Sequence, residues 1–350
     1  MSQKQIEILD NLQALYGNTP LIEVAFKYKN KIRKIYAKYE AFNFSGSIKD
    51  RIAIHILRKA YETNQIKEGD VIVEATSGNT GIAFSALGRA LGHKVKIFMP
   101  DWLSKERYDT IALYGAEIIK ISKEQGGFLR SIEEGNNFVI KNRNSFCPQQ
   151  FTNIENVNAH FESTAPEIFS QLKKLNLKLT HFIAGVGTGG TIMGFLKYCK
   201  THNFDVKCHP MEPLNSPTLS TGGKKIGSHR IQGISDEFIP EIVKLDKLSE
   251  IVSVDDGDGI IMAQKMNNRG LSVGISSGAN FIGALKALLK SIKFDPKNSE
   301  NKIDSYPTIA TIFCDSSLKY FSTDLCNNEK IKDEFLSKDV EIIGFKFIKN

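Results

Sequence analysis

The stretch "THFIAGVGTGGTIMG", residues 180–194, decides the fold. It begins with a largely apolar run that is typical of a short buried strand. Four glycines follow within residues 185–191, and the apolar residues after them suit a helix. A strand that leads through a glycine-rich loop directly into a helix is the building unit of a parallel sheet. This stretch therefore predicts α/β architecture and places a candidate ligand loop at the carboxyl end of a strand.

The same order of strand, loop and helix recurs along most of the chain. Strands are predicted at residues 70–75, 94–100, 116–122, 180–185, 205–212 and 308–315, with helices at 80–91 and 104–113. Residues 201–207 and 293–307 are predicted to be loops, and after residue 326 we expect a short charged helix and one final strand. The alternation predicts mostly parallel, twisted sheets with helices on both faces.

Composition argues against nucleic acid and membrane partners. The chain has 350 residues, 41% of them hydrophobic, and a net charge of +7 from 46 basic and 39 acidic residues. Residues 27–38, "KYKNKIRKIYAK", form the one basic patch, and their alternation predicts a half-exposed strand. Aromatic residues interleaved with arginine, which bind single-stranded nucleic acid, are missing. We therefore expect a small-molecule substrate rather than a nucleic acid.

Targeting signals and cysteine spacing predict a cytoplasmic protein. The first residues lack a basic segment followed by an apolar core, and no apolar run reaches the length of a membrane helix. Five scattered cysteines contain no CxxC pair, which argues against a disulfide framework and against a metal site. They are Cys147, Cys199, Cys208, Cys314 and Cys326.

The glycine-rich loop at residues 185–191 is a candidate phosphate site. Glycines let the backbone approach a ligand closely, and successive N–H groups at a helix start can hold an anion. The loop also satisfies GxGxxG at Gly185, Gly187 and Gly190, with Glu212 ending the next strand, so dinucleotide binding remains an alternative. No lysine follows the glycines, which excludes a P-loop.

Two further loops lie where strands should lead into helices. "TSGNTG", residues 76–81, offers hydroxyls and free N–H groups that suit a carboxylate, or it is an ordinary helix cap. "GISSGAN", residues 274–280, contains Ser276, which either gives a neutral hydrogen bond to a ring nitrogen or caps the following helix. The residues alone leave both alternatives open.

Lys49, in "NFSGSIKDRIAIHILRKA", is the candidate amine. Small residues precede it, and near the positive end of a helix with an apolar face its pKa should be depressed, as an imine-forming amine requires. The alternative is a solvated lysine at a helix start. The apolar positions around it are Ile48, Ile52, Ala53, Ile56 and Leu57.

Together these blocks resemble the pyridoxal-phosphate (PLP) enzymes of the cysteine synthase (O-acetylserine sulfhydrylase) and cystathionine β-synthase family, of fold-type II. The resemblance covers residues 10–325 and rests on "GNTPLIEV", "SGSIKDR", "EATSGNTGIAFS", "YGAEII", "PQQF", "AGVGTGGTIMG", "MEPLNSP", "IQGI", "FIP" and "GISSGA". It implies a homodimer with two domains per chain. The smaller domain would hold residues 43–153 and the larger, PLP-binding domain residues 1–42 and 154–325, followed by a C-terminal tail at 326–350.

The resemblance also implies roles for individual residues toward PLP. Lys49 would carry the cofactor as a Schiff base and later move the Cα proton of the substrate. Asn79 would hydrogen-bond the 3′ oxygen of the cofactor, and Ser276 would face the pyridine nitrogen, which in this family accompanies chemistry at Cβ. The phosphate would be held by Gly187, Thr188, Gly189, Gly190 and Thr191.

The substrate carboxylate would be held by the loop at residues 76–81 and by the "PQQF" block. The loop that begins at Gly233, in "IQGISDEFIP", would lie over the substrate near Cβ. The residues implied for the carboxylate are Thr76, Ser77, Asn79, Thr80 and Gln150.

Two departures from the family pattern bear on function. Before the lysine, "NFSGS" stands where the family commonly has an Asn-Pro/Ala-Gly-Gly-Ser run, and Ser45 adds a hydroxyl there. In the loop over the substrate, Asp236 stands where sulfhydrylases have alanine, and Glu237 resembles the acidic residue of cystathionine synthases. A carboxylate there would repel hydrosulfide and could accept a proton from water.

The sequence thus leaves three reactions open for an enzyme acting at Cβ. In the first, Asp236, with Glu237, directs water to the substrate, so that L-cysteine gives hydrogen sulfide and L-serine. In the second, both carboxylates face solvent and the protein is a cysteine synthase that joins O-acetylserine and sulfide. In the third, a thiol is added, as in cystathionine synthesis. The intact lysine, Asn79 and phosphate loop favour an enzyme over a protein that only binds partners.

Overall fold

Two separate sheets organise the chain. The computed structural model describes residues 3–235, 237–294 and 307–349. A four-stranded sheet has the order β5-β4-β3-β6, and a seven-stranded sheet has the order β11-β1-β2-β10-β7-β8-β9. The strands are β1 Leu21–Tyr28, β2 Lys31–Tyr39, β3 Val71–Ala75, β4 Lys94–Pro100, β5 Glu117–Ile121, β6 Ser145–Phe146, β7 Leu179–Gly185, β8 Lys207–Pro213, β9 Val252–Val254, β10 Thr308–Phe313 and β11 Val340–Ile348.

Ten α-helices are present in the described residues, and most connect parallel strands. In the described chain no helix is both long enough and apolar enough to cross a membrane. The helices are α1 Gln3–Leu12, α2 Lys49–Glu62, α3 Asn79–Ala90, α4 Lys105–Leu113, α5 Gly127–Lys141, α6 Ile154–Ala159, α7 Ala165–Lys174, α8 Gly190–Thr201, α9 Asp256–Asn267 and α10 Ile275–Phe294.

The four-stranded sheet is wholly parallel and is covered on both faces. Alternate residues of β3 point to different apolar clusters, because side chains alternate along a strand. Ile72 packs with side chains of α2 and α3, whereas Val73 and Ala75 pack with side chains of α5. All four strands lie within the predicted smaller domain, residues 43–153; the domain division itself stays a prediction. The predicted α/β class is confirmed.

The seven-stranded sheet is parallel from β2 to β9 and antiparallel at its β1 and β11 edge. Its strands β7 and β10, predicted at 180–185 and 308–315, lie side by side in the middle. Every residue of β10 is buried, which is typical of a parallel strand covered on both faces. Their carboxyl ends point to the same edge of the sheet, where ligands bind in such folds.

The prediction of one half-exposed strand at residues 27–38 is wrong. The segment is a hairpin in which the end of β1 turns back into β2. Lys29 and Asn30 make the turn with φ of 46° and 64°, the left-handed pair that a tight two-residue hairpin needs. Asparagine tolerates this conformation better than most residues, so Asn30 was the available signal.

The C-terminal segment is part of the larger sheet. Strand β11 pairs antiparallel with β1 along its whole length, which confirms the predicted final strand. The predicted charged helix before it is wrong, since described residues 327–339 contain only a short 3₁₀ turn, Leu336–Asp339, besides irregular chain. The predicted loop at 293–307 lies almost wholly outside the described residues, while 201–207 is a helix end and loop leading to β8.

A buried ion cluster joins α2 to the larger sheet just behind the candidate lysine. The guanidinium of Arg51 donates to the Glu40 carboxylate at 2.6 and 2.9 Å and to both oxygens of Glu167 at 2.8 Å. Lys38 also pairs with Glu167 at 2.7 Å. Because each buried charge has an opposite partner, the cluster fixes the start of α2 against β2 and α7.

Candidate active site

Lys49 is the first residue of α2, as the sequence predicts, and the loop before it is held by one carboxylate. Asp50 accepts hydrogen bonds from the backbone N–H groups of Ser45 and Ser47 at 3.0 and 3.1 Å. The N–H of Ile48 donates to the carbonyl of Cys314, beyond the end of β10, at 2.9 Å. Lys49 therefore begins α2, a helix that packs on the smaller sheet, at a point where the chain is hydrogen-bonded to the carboxyl edge of the larger sheet.

The hydroxyl of Ser45 has a definite partner here. It donates to Oδ1 of Asp50 at 2.7 Å, and Asp50 is fully buried. Ser45→Ala should therefore lower the free energy of unfolding by about 1.5–3 kcal/mol, the range for a hydrogen bond to a charged group. Urea unfolding followed by circular dichroism measures this change; an unchanged midpoint would contradict the structural role.

One cavity contacts most of the residues that the sequence singled out. Gly190 is buried in the same loop without lining the cavity, and Glu237 is exposed outside it. Asp236 lies outside the described residues. The sequence-predicted residues that line the cavity are Lys49, Thr76, Ser77, Asn79, Thr80, Gln150, Gly187, Thr188, Gly189, Thr191, Gly233 and Ser276.

Other lining residues were missed by sequence reasoning. Arg107 lies on α4, outside every block that the sequence singled out, and Asn280 lies on α10 at the end of the "GISSGAN" block without having been assigned a role. Cys314 follows directly on β10, at the carboxyl edge where ligands are expected; its position after a buried strand was the available signal. Burial raises the pKa of its thiol to about 12, although the charge of Lys49 opposes this, so the thiol stays protonated at neutral pH.

The loop at residues 185–191 is built as an anion cradle. Gly189 has φ of +85°, and α8 begins at the next residue, so the first N–H groups of that helix face the cavity end of the loop. A Cβ at Gly189 would lie 2.1 Å from Val243 Cγ2, and one at Gly187 would lie 2.4 Å from the Gly233 carbonyl. Side chains are thus excluded, and the backbone itself is left to bind the ligand.

The contacts of Glu212 argue against dinucleotide binding, because this acidic residue is not available to a ribose. Glu212 ends β8 as predicted, but its buried carboxylate accepts from the N–H groups of Leu219 and Ser220 at 2.8 and 3.2 Å. It also accepts from the Ser253 hydroxyl at 3.2 Å. A carboxylate used by its own following loop cannot also hold a ribose hydroxyl.

The loop at residues 76–81 leads from β3 into α3 and is joined to Gln150. The Thr80 hydroxyl donates to the side-chain carbonyl of Gln150 at 2.6 Å, and the amide of Gln150 donates to the carbonyl of Ala75 at 2.8 Å. Gly78 has φ of +146°, and a Cβ there would lie 2.2 Å from Arg107 Cδ. The loop is therefore a fixed concave surface of hydroxyl and N–H groups, which suits a carboxylate.

Glu74, immediately before this loop, is a buried carboxyl group. Burial raises its pKa to about 8, although hydrogen bonds from the backbone of Ala75 and Gln150 oppose the rise. The group is thus neutral in the folded protein at pH 7. Because the folded pKa exceeds the unfolded one, the stability that it contributes is present below about pH 4.5 and is lost as the pH rises to about 8.

Glu74→Gln should remove this pH dependence. Relative to the wild type, the free energy of unfolding of the variant should increase by roughly 2–4 kcal/mol between pH 5 and pH 8. Urea unfolding across that range measures the difference, with Glu334→Gln, an exposed glutamate, as the control. Parallel stability curves for wild type and variant would contradict the assignment.

The loop at residues 231–235 is anchored to the phosphate loop. The N–H of Ser235 donates to the carbonyl of Val186 at 2.7 Å, and His229 Nε2 donates to the carbonyl of Ser235 at 3.1 Å. Ser235 has φ of +54°, a strained conformation for a residue with a side chain. The described part of this loop therefore meets the cavity through Gln232, Gly233 and Ile234.

These features together fit PLP. An amine, a backbone cradle for a phosphate and a buried neutral hydroxyl, Ser276, line the same cavity, together with a second anion loop of carboxylate size. A phosphate, an aldehyde, a ring nitrogen and the carboxylate of an amino acid would each find a matching group. Lys49 would hold the aldehyde carbon, and the loop at 185–191 would hold the phosphate.

Comparison with known proteins gives the same cofactor. Residues 12–300 match the family of pyridoxal-phosphate dependent enzymes. The chain is 39% identical to cysteine synthase B of Campylobacter jejuni over 320 residues, which are 91% of this chain and 99% of that enzyme.

Two solved structures are more similar still. A hydrogen sulfide-producing enzyme from Fusobacterium nucleatum is 52% identical, with a TM-score of 0.89 over 98% of this chain and 100% of that chain. An aspartate-to-asparagine mutant of that enzyme, in complex with an α-aminoacrylate intermediate, gives a TM-score of 0.90 at 52% identity, covering 97% and 99% of the two chains.

The cofactor is therefore PLP, and the enzyme acts at the Cβ atom of an amino acid by β-elimination or β-replacement. The two sheets, the cavity at their carboxyl edges and the relatives agree with the predicted resemblance, which is confirmed. The chain belongs to the family of pyridoxal-phosphate dependent enzymes, in its fold-type II group of cysteine synthases and cystathionine β-synthases.

Proposed function

We propose that this enzyme degrades L-cysteine, releasing hydrogen sulfide and returning L-serine by addition of water at Cβ. The overall change is balanced: L-cysteine and one water give L-serine and one hydrogen sulfide, with no oxidant or reductant. One observation carries the proposal, namely the adjacent carboxylates Asp236 and Glu237 in the loop that continues from the cavity wall. The 52% identity to a hydrogen sulfide-producing enzyme supports it.

Lys49 serves the proposed reaction as both attachment point and base. PLP, when bound, supplies the electron sink that makes the Cα proton acidic and lets the β-substituent leave. Once its amine is released by the incoming amino acid, Lys49 takes the proton from Cα. Its place at the start of α2, opposite Ser276 and Cys314 in one cavity, keeps the amine beside the cofactor site.

The loop at residues 76–81 orients the amino acid. Its N–H groups and hydroxyls bind the carboxylate, while Thr80 is fixed by Gln150 at 2.6 Å. Because that surface cannot adjust freely, the substrate is held with Cα toward Lys49 and Cβ toward the loop at 231–235. The protonated thiol of Cys314 adds no second anion to this side of the cavity.

Asp236 decides between water and sulfide in this proposal. It follows Ser235, whose backbone is bonded on both sides, to Val186 and to His229. In this proposal its carboxylate repels hydrosulfide, and it accepts a proton from a neutral water as the oxygen attacks Cβ. In the related enzyme, the aspartate-to-asparagine mutant holds the substrate after its β-substituent has left, which supports a carboxylate acting at this later stage.

The test compares two reactions with the same purified protein and PLP. L-cysteine alone should give sulfide and serine in equal amounts with little pyruvate, and O-acetylserine plus sulfide should give cysteine slowly. Inert cysteine together with rapid cysteine synthesis would overturn the proposal. Sulfide with pyruvate in place of serine would also overturn it, because it would show elimination without water addition.

A cysteine synthase is the second candidate. It is favoured by the 39% identity to cysteine synthase B and by the exposure of Glu237, which points at least one of the two carboxylates to solvent. The same experiment separates the two, since a synthase gives the opposite order of rates.

A further inference from the structure

The segment "CDSSLKY", residues 314–320, follows β10 and brings two charged side chains onto one residue of the cavity wall. The carboxylate of Asp315 accepts from the amide nitrogen of Asn79 at 2.7 Å. The ammonium of Lys319 donates to the amide oxygen of the same Asn79 at 3.1 Å. Asp315 is fully buried and Lys319 is 7% exposed, so water does not screen these contacts.

This arrangement fixes the orientation of the Asn79 amide. An amide turned by 180° would place its oxygen against a carboxylate and its N–H groups against an ammonium, which replaces two charge-assisted hydrogen bonds by two repulsive contacts. One N–H of Asn79 is used by Asp315, and the amide nitrogen keeps a second N–H. Asn79 lines the same cavity as Lys49 and Ser276.

Neighbouring contacts hold the two charged residues in place. The Tyr320 hydroxyl donates to the same oxygen of Asp315 at 2.9 Å. Lys319 also donates to the carbonyl of Gly46 at 3.2 Å, in the loop that precedes Lys49. The charged pair therefore links Asn79 to the segment that carries the catalytic lysine.

We propose that Asp315 and Lys319 are positioning residues that lock the Asn79 amide with its second N–H directed to bound PLP, and that they thereby set the affinity and the visible absorption of the cofactor. The inference holds whether water or sulfide is the second reactant, so its test is separate from that of the proposed function.

The experiment removes one charge at a time and measures cofactor binding rather than turnover. After PLP has been removed from the protein, Lys319→Met should rebind PLP about tenfold more weakly than the wild type, and its visible absorption band should be shifted. The reason is that one charge-assisted hydrogen bond is lost. Lys319→Arg, which keeps a donor and a charge, should restore most of the affinity. Asp315→Asn keeps the shape without the charge, and it should weaken binding in the same direction even where Lys319→Met folds poorly.

A double-mutant cycle shows whether the effect passes through Asn79. In an Asn79→Ala background, Lys319→Met should change neither the affinity for PLP nor the absorption band any further. Leu318→Ala is the matched control, since it shortens an exposed side chain next to Lys319 on the same segment. An equal loss of affinity in both backgrounds, or an unchanged spectrum and affinity in Lys319→Met, would overturn the inference.

Discussion

Lys49→Ala should abolish the visible absorption band of bound PLP and should lower sulfide release from L-cysteine by about 10⁴-fold or more. No other amine is expected to replace Lys49, because among the described residues no second lysine lines the cavity, and Lys319 is bonded to Asn79 and Gly46. In the proposed reaction Lys49 both forms the imine with PLP and accepts the Cα proton. One substitution therefore removes both functions, and absorption and turnover should be lost together.

The matched control for this variant is Lys59→Ala on the same helix. Lys59 is half-buried, does not line the cavity and pairs with Glu62 at 2.8 Å, so its removal should leave the spectrum and the turnover unchanged. Absorption and turnover of Lys49→Ala near those of the wild type would show that the amine at the start of α2 is not the one that binds PLP. Reconstitution of Lys49→Ala with PLP and a small primary amine should recover the visible band without recovering full turnover, because the proton acceptor is still missing.

Most of the fold was predictable because its buried strands can be recognised from short stretches of sequence. Strands β3, β4 and β7 are buried on both faces, so each is a short apolar run bounded by polar residues, and the predicted limits fall within one residue of the observed ones. The hairpin at residues 27–38 failed for the opposite reason. Its residues alternate through the turn, and the pattern of one strand continues into the next with only Asn30 to mark the reversal.

The C-terminal segment shows the limit of helix propensity. Residues 327–339 are rich in lysine and glutamate, which favour a helix, but they follow the surface of α9 instead. Arg230 pairs there with Glu329 and Asp324, and the backbone of Leu336 and Ser337 donates to the buried Asp258. These tertiary contacts override a weak local preference.

The site was predictable where its residues form contiguous blocks and not where distant segments meet. Loops 76–81 and 185–191 are visible as glycine- and hydroxyl-rich turns, and both line the cavity. The contacts of Asn79 with Asp315 and Lys319 join residues 236 and 240 positions apart, so no local period reveals them. They exist because the helix after β3 and the segment after β10 meet at the carboxyl edges of two different sheets, as the bridge between Ser47 and Asp315 also shows.

Asp236→Asn should slow serine formation from L-cysteine by about 10²–10⁴-fold, the usual contribution of a general base. The change keeps the size of the side chain and removes its ability to accept a proton from water. Loss of the sulfur should not depend on this group, because in the proposed reaction the Cα proton goes to Lys49. Rapid mixing should therefore show a burst of sulfide that matches the enzyme concentration, followed by slow release limited by the water step.

The size of the sulfide burst separates a general base from the other roles that Asp236 could have. If Asp236 oriented the whole substrate, the burst itself would disappear, since sulfur loss would slow as well. If it served only solubility, the variant would turn over like Glu241→Gln, which changes an exposed carboxylate further along the same segment. Glu237 is exposed, so Glu237→Gln should affect the water step much less than Asp236→Asn. A full burst with slow turnover in Asp236→Asn alone assigns the proton of the attacking water to one carboxylate, and it accounts for an aspartate where a sulfide-using synthase has alanine.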